Sequence, residues 1–241
     1  GKFLRDYRPL LGEGVRDFCK NIGYGMFDST ICDIYLINEY GELIGRPVLT
    51  ACVDGYSSMC LGYSLGLVGG VKSLKKLIFN IVEDNDWINN NLLPHKFITD
   101  RGRDYLSQNF SQLTDLGIEI INLPPYRPEL KGIVEKFFDL VQSTYKKVLG
   151  DKGVIFSDFQ ERGSVDYRLK AALTLEEFEK VIVNCIVHYN KSIVVNIPYE
   201  LVGKCKPVPN GIFNYVMKNN SDTFIKVNKD LIAKTLLSRC E

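Results

Sequence analysis

The chain has 241 residues, of which 45% are hydrophobic and 11% aromatic, enough to bury a substantial core in one domain, or in one domain with an appendage. Lysine and arginine number 30 against 29 aspartates and glutamates, so net charge argues mildly against a nucleic-acid role, and any DNA-binding surface has to be a local patch. Seven cysteines without a C-x-x-C pair point to a reduced, cytoplasmic chain, no stretch approaches the roughly 20 apolar residues of a membrane span, and a start at Gly1 without a charged-then-apolar leader suggests a piece cut from something longer.

Residues 1–22 are mixed and polar and read as an irregular lead-in. From Tyr24 to Asn38 apolar, β-branched and aromatic residues are dense, "EYGELIG" carries turn residues, and "RPVLTACVD" (46–54) and "CLGYSLGLV" (60–68) read as two further strands. Cys32, Cys52 and Cys60 lie inside these runs, where a thiol packs as a small hydrophobe. In "GVKSLKKLIFNIVED" the residues Val71, Leu74, Leu77, Ile78, Ile81 and Val82 recur at helical spacing, and "HKFITD" (95–100) is a short buried strand. His95 there and His188 far downstream do not have zinc-ligand spacing.

Leu106, Phe110 and Leu113 mark a helix over 104–116 with Gly117 as its C-cap, and "IEIINL" (118–123) is a fifth strand. A helix follows in "NLPPYRPELKGIVEKFFDL" (122–140), then a polar loop over 150–168. Thr174 and Glu177 form a capping box that opens a helix with Leu175, Phe178, Val181, Ile182, Cys185, Ile186 and Tyr189 inward. Residues 191–241, rich in proline and turn residues, read as a linker or tail with a short terminal helix. The spacing therefore predicts an α/β domain over 23–190, its mixed sheet beginning with three antiparallel strands.

On a wheel of about 100° per residue, Leu130, Ile133, Val134, Phe137, Phe138 and Val141 make one stripe, and Lys131, Glu135 and Gln142 fall along its edge. Glu135 is by itself an ordinary flank residue, paired with Lys131 one turn earlier. Two other acids change its meaning: Asp28 interrupts an apolar strand, and Asp100 ends the fourth strand before Arg101 and Gly102. Strand ends with permissive turns are where sites gather in α/β sheets. Three converging carboxylates would suit Mg²⁺, and two ions about 4 Å apart can activate an attacking oxygen and stabilise a leaving one at phosphorus.

The strand and helix order, with "FDSTICDIYLI" (27–37), "IGRPVLTACVDGYS" (44–57), "TDRGRDY" (99–105), "PPYRPELKGIVEKFF" (124–138) and "DYRLKAALTLEEFE" (166–179) in sequence, resembles the RNase H-like catalytic core of DDE transposases and retroviral-type integrases, most closely the Mu and TnsB-like branch. The likeness runs from "DYRPL" (6–10) to "IPYEL" (197–201). It implies a five-stranded mixed sheet, three antiparallel strands then two parallel, flanked by helices, and a metal-binding, catalytic triad of Asp28, Asp100 and Glu135. Two Mg²⁺ ions, replaceable by Mn²⁺, would support cleavage at transposon 3′ ends and joining to target DNA.

The resemblance also implies DNA contacts by Arg127, Lys131, Arg101 and Arg103, and structural roles for Asp33 and Asp54. Gly132 costs about 1 kcal/mol relative to alanine within a helix, which is easier to understand if something approaches the backbone there. Its implied partners are transposon-end and target DNA, other copies assembled on that DNA, an AAA+ ATPase regulator and a separate 5′-strand nuclease, in a bacterial, nucleoid-associated setting. The DNA-binding domains that precede the core in this family are expected to be absent from this piece, and the small barrel that follows it to be missing or only begun in 205–241. One departure is Ser58, where relatives commonly carry arginine.

Three other readings compete. "GYSLG" (62–66) matches G-x-S-x-G and offers Ser64 as nucleophile with His188 as base, but the extended apolar run lacks the sharp strand-to-helix turn a hydrolase elbow needs. An inactive fragment, or a DNA-binding or assembly module of the same fold, would be expected to have lost an acid of the triad. A stand-alone RNase H-like nuclease leaves "DYRLKAALTLEEFE" unexplained.

Overall fold

The computed structural model describes residues 15–83, 91–99, 113–122, 131–156 and 166–228, with positions 230, 232 and 234. Its centre is a five-stranded sheet of β1 (Tyr24–Ile31), β4 (Val48–Asp54), β5 (Cys60–Gly66), β7 (Lys96–Thr99) and β8 (Glu119–Asn122), in the spatial order β5-β4-β1-β7-β8. β1, β4 and β5 pair antiparallel, whereas β7 lies parallel to β1 and β8 parallel to β7. This is the mixed sheet expected from the sequence, and the fold is RNase H-like.

Helices cover both faces. α1 (Val15–Phe18) precedes the sheet, α2 is Val71–Val82, α3 is Gly132–Leu149 and α4 is Leu175–Ser192. A Cβ at Gly62 of β5 would collide with Ile81 of α2, which places α2 against the face carrying Gly62. The other face is identified by register: Asp28 pairs with Ala51, Ala51 pairs with Tyr63, and the Tyr63 hydroxyl donates to Glu179 of α4 at 3.3 Å. α3 and α4 share that face, joined by edge-on ring contacts of Phe137 with Tyr189 and of Tyr145 with Phe178.

Local signals set several boundaries. The Thr174–Glu177 capping box forms in both directions, with Glu177 Oε2 accepting the Thr174 N–H at 2.9 Å and Thr174 Oγ1 accepting the Glu177 N–H at 3.3 Å. Gly117 caps the 3-10 turn Thr114–Leu116 with φ of 85°, a left-handed conformation that glycine adopts without a steric cost. The remainder of the helix expected over 104–116, and Leu130 of the expected apolar stripe, lie outside the described residues.

Elsewhere the structure corrects the sequence reading. The first strand ends at Ile31, not at Asn38; residues beyond it form a separate two-stranded ribbon of β2 (Leu36–Ile37) and β3 (Leu43–Gly45). The cause is tertiary: Asp33 bridges Arg46 and Lys146 at 2.6 and 2.7 Å, and the Tyr145 hydroxyl accepts its backbone N–H at 2.8 Å. The supposed lead-in contributes α1 and the fully buried Cys19 and Ile22.

The segment after 191, expected as a linker or tail, is built into the fold. α5 (Pro209–Asn219) buries Ile212, Phe213 and Val216, and β9 (Phe224–Lys226) pairs antiparallel with β6 (Leu92–Pro94). The Thr223 carbonyl accepts the His95 N–H at 3.1 Å and lies directly over Gly23, where a Cβ would strike it. This strap therefore touches the entry points of both β1 and β7.

Candidate active site

The acids in or beside the central sheet have distinct environments; Glu119 of β8 pairs with Lys96 at 3.0 Å. Asp54, fully buried at the end of β4, accepts four hydrogen bonds: Gly23 and Tyr24 N–H reach one oxygen at 2.8 and 3.3 Å, and Ser57 N–H and Oγ–H reach the other at 2.8 and 2.6 Å. Burial raises its pKa, and these four donors partly offset that by stabilising the carboxylate. Asp33 is engaged by two cations, as described above. Both carboxylates have their lone pairs committed to holding turns.

Asp28 and Glu135 differ. Asp28 is half-buried in β1; its Oδ1 accepts the adjacent Ser29 N–H at 2.9 Å, and Oδ2 has no partner among the described residues. Glu135 is exposed in the first turn of α3, and its carboxylate makes no hydrogen bond or ion pair with a described residue. The expected pairing with Lys131 is thus absent; only the backbone bond from Glu135 N–H to the Lys131 carbonyl joins them, at 3.1 Å.

Their relative placement follows from a shared anchor. Gln142 lies two turns after Glu135 on the same edge of α3, and its Oε1 accepts the Asp33 N–H at 3.2 Å just beyond β1. Asp28 lies five residues before Asp33, in β1, and Glu135 seven residues before Gln142, on α3, so the two elements that carry these acids are joined at this anchor.

Asp100, the third expected member, lies outside the described residues, as do Arg101, Arg103 and Arg127. β7 nevertheless runs parallel and in step with β1, Ile98 opposite Met26, so its last described residue, Thr99, ends at the level where β1 approaches Asp28. Lys131 forms the N-cap of α3 and is half-buried. Among the described residues no cluster of three histidine, cysteine, aspartate or glutamate side chains forms a metal-binding group. No described helix is long and apolar enough to cross a membrane.

The hydrolase motif is not an elbow. Ser64 sits mid-strand in β5 opposite Thr50, its Oγ buried without a hydrogen-bond partner among the described residues, and His188 is exposed on α4. Ser58 sits in a tight turn at φ of 63°; its N–H donates to the Asp54 carbonyl and its own carbonyl accepts the Tyr189 hydroxyl, both at 2.9 Å. Sequence reading missed this role of Tyr189, because an inward aromatic at helical spacing signals only core.

Comparison with known proteins bears on the family and the fold. The family model described as the TnsB C-terminal domain matches residues 26–151, a little over half of the chain. The chain is 25% identical to the Transposon Tn7 transposition protein TnsB of Escherichia coli, across 99% of this chain and 37% of that protein. It is 30% identical to the transposase for transposon Tn552 of Staphylococcus aureus, across 51% of this chain and 26% of that protein. The chain thus spans little more than a third of the first relative's length and about a quarter of the second's. Among solved structures, the simian T-cell lymphotropic virus intasome in complex with PP2A regulatory subunit B56 gamma matches 79% of this chain and 53% of its own, with a TM-score of 0.51 and 15% identity, a likeness of fold.

Proposed function

Because this chain belongs to the TnsB C-terminal domain family, we propose that it is the catalytic core of a TnsB-like DDE transposase, with Asp28, Asp100 and Glu135 as its metal-binding carboxylates. The observation that carries this reading is the contrast among the acids. Asp33 and Asp54 are tied to turns, whereas among the described residues Asp28 keeps an oxygen without a partner and Glu135 keeps its whole carboxylate so. A donor set of hard carboxylate oxygens fits Mg²⁺ or Mn²⁺. Such ions, when bound, activate the attacking oxygen and stabilise the leaving one at phosphorus.

The chain's own residues do the rest. β1 holds Asp28 by its ladder to β4, and the packed stripe of α3 fixes the helix that carries Glu135, so the two acids would present acceptors from fixed elements. Water would cleave a phosphodiester at a transposon 3′ end, and the freed 3′-OH would then attack target DNA; positioning both in line needs no covalent protein intermediate. The DNA substrates, assembly of several copies on DNA, and partnership with an AAA+ ATPase regulator and a 5′-strand nuclease belong to the same proposal, as do DNA contacts by Arg101, Arg103, Arg127 and Lys131.

The test is strand transfer by the full-length protein with Mg²⁺ and transposon-end DNA. Asp100→Asn and Glu135→Gln should each abolish joining. Joining that survives either change would mean the triad is misassigned, and loss of joining on chelation of Mg²⁺, with recovery in Mn²⁺, is expected.

A further inference from the structure

Across the exposed crest of α3 from Glu135 lies a cleft of ≈ 290 Å³ whose lining is mostly apolar, with Val15, Ile133, Leu140 and Val195, and also includes Ser58, Gly132, Lys136, Tyr189 and Asn196. At about 100° per residue, Glu135 falls on one side of the crest and Lys136 on the other, with Gly132 between them. Gly132 is exposed, and a Cβ there would meet nothing within 4 Å. At Gly132 the crest is therefore bare backbone, and a chain-like ligand can cross it there closely from the Glu135 side into the cleft.

The cleft is rigid on its inner side. The Ser58 turn is fixed by the Asp54 carbonyl and the Tyr189 hydroxyl, and Tyr189 is itself wedged edge-on against Phe137 with ring centroids 4.9 Å apart. Its rim carries different chemistry: Lys136 and Asn196 are both exposed and supply a cation and an amide that can donate and accept. The volume lies at the small end for organic-ligand sites, which suits one planar heterocycle with its sugar and not a duplex.

The geometry points to this cleft as the seat of one unpaired nucleotide of the DNA strand whose neighbouring phosphate lies at Glu135, with Lys136 on its phosphate and Asn196 on a base edge. The inference rests on the proposed role of Glu135. The occupant is a nucleotide and not a protein segment because the rim combines a cation with a two-way hydrogen-bonding amide, and because the bare crest joins the cleft to a carboxylate proposed to act on phosphodiesters. A base that leaves its stack needs a pocket to receive it.

The experiment uses the chain and a duplex oligonucleotide with a short 3′ overhang carrying 5-iodo-2′-deoxyuridine at successive overhang positions, in EDTA so that no metal is needed. Photo-crosslinks mapped by mass spectrometry should fall on the cleft residues for one overhang position. Asn196→Trp, which fills the cleft from its exposed rim, should weaken DNA binding about tenfold, the scale of one base contact, without changing the melting temperature; Lys136→Ala should weaken it and lessen its salt dependence.

Absence of DNA binding, crosslinks elsewhere, or wild-type affinity in Asn196→Trp would each overturn the inference. So would a lowered melting temperature with unchanged affinity, the mark of a protein segment in the cleft. Failure of the carboxylate assignment would be seen separately, as joining that survives Glu135→Gln while cleft crosslinks persist.

Discussion

Asn190 grips Cys60 with both halves of its side-chain amide: Oδ1 accepts the Cys60 N–H and Nδ2 donates to the Cys60 carbonyl, each at 3.0 Å. The pair imitates one rung of a β-ladder on the side of β5 where no described strand pairs, so the end of α4 closes the sheet edge. Asn190 is fully buried, and Asn190→Leu would leave a backbone donor and acceptor without partners. The expected cost is about 3 kcal/mol, measured as a lowered urea midpoint with an unchanged slope.

Glu135 and Asp33 should behave in opposite ways. Glu135→Gln removes a charge that engages no described residue, so stability should move by less than about 0.5 kcal/mol while strand transfer disappears. Asp33→Asn weakens the attraction to Arg46 and Lys146 in a site about one-third exposed; after allowance for solvent screening the loss should be about 1 kcal/mol. Paired melting and joining measurements on both variants check this; equal stability losses would show that Glu135 has a structural partner.

Gly132→Ala places a methyl group in open space and removes the entropic cost of a helical glycine. Because Gly132 is the first residue of α3, the substitution should raise stability by a few tenths of a kcal/mol, below the roughly 1 kcal/mol of a helix interior. Calorimetric melting of the chain is the measurement, and a fall in melting temperature would show that the crest is covered.

High pH should weaken the fold. Burial pushes the Cys185 thiol up to about 11, and burial, then the neighbouring Asp33 charge, pushes that of Cys32 up to about 12, against an ordinary value of 9.0. Between pH 9.0 and these values the unfolded chain has released protons that the folded chain keeps. Stability is therefore complete below pH 9.0 and declines as pH rises toward the folded-state values. Each thiol contributes a slope of up to about 1.4 kcal/mol per pH unit. Urea midpoints across this range should fall, less steeply in Cys185→Ala.

What the sequence disclosed depended on range. The Gly117 turn and the Thr174–Glu177 box lie within a few residues of the structure they specify, and both formed as expected. The five sheet strands were legible from apolar density and turn residues. The end of β1 was not, because Ile34 and Leu36 continue the apolar run and the break is imposed by Arg46, Lys146 and Tyr145 from elsewhere in the chain. β6 and β9 are three residues each, too short for a period to show. For the acids, residue type could not separate Asp28 from Asp33 or Asp54; the difference lies in the partners that folding brings to the latter two.

The pairing of Leu92–Pro94 with Phe224–Lys226 also bears on the order of synthesis and folding. β6 leaves the ribosome long before its partner strand exists, and β7, which leads toward Asp100, follows immediately after it. Until residue 226 emerges, the N-terminal side of β7 lacks its strap, and β6 must wait without its partner strand, the condition under which nascent chains associate wrongly. A ribosome-stalled chain ending before β9 should accordingly be the form most dependent on chaperones, and the strap of residues 224–226 would decide when the entry points of β1 and β7 become fixed.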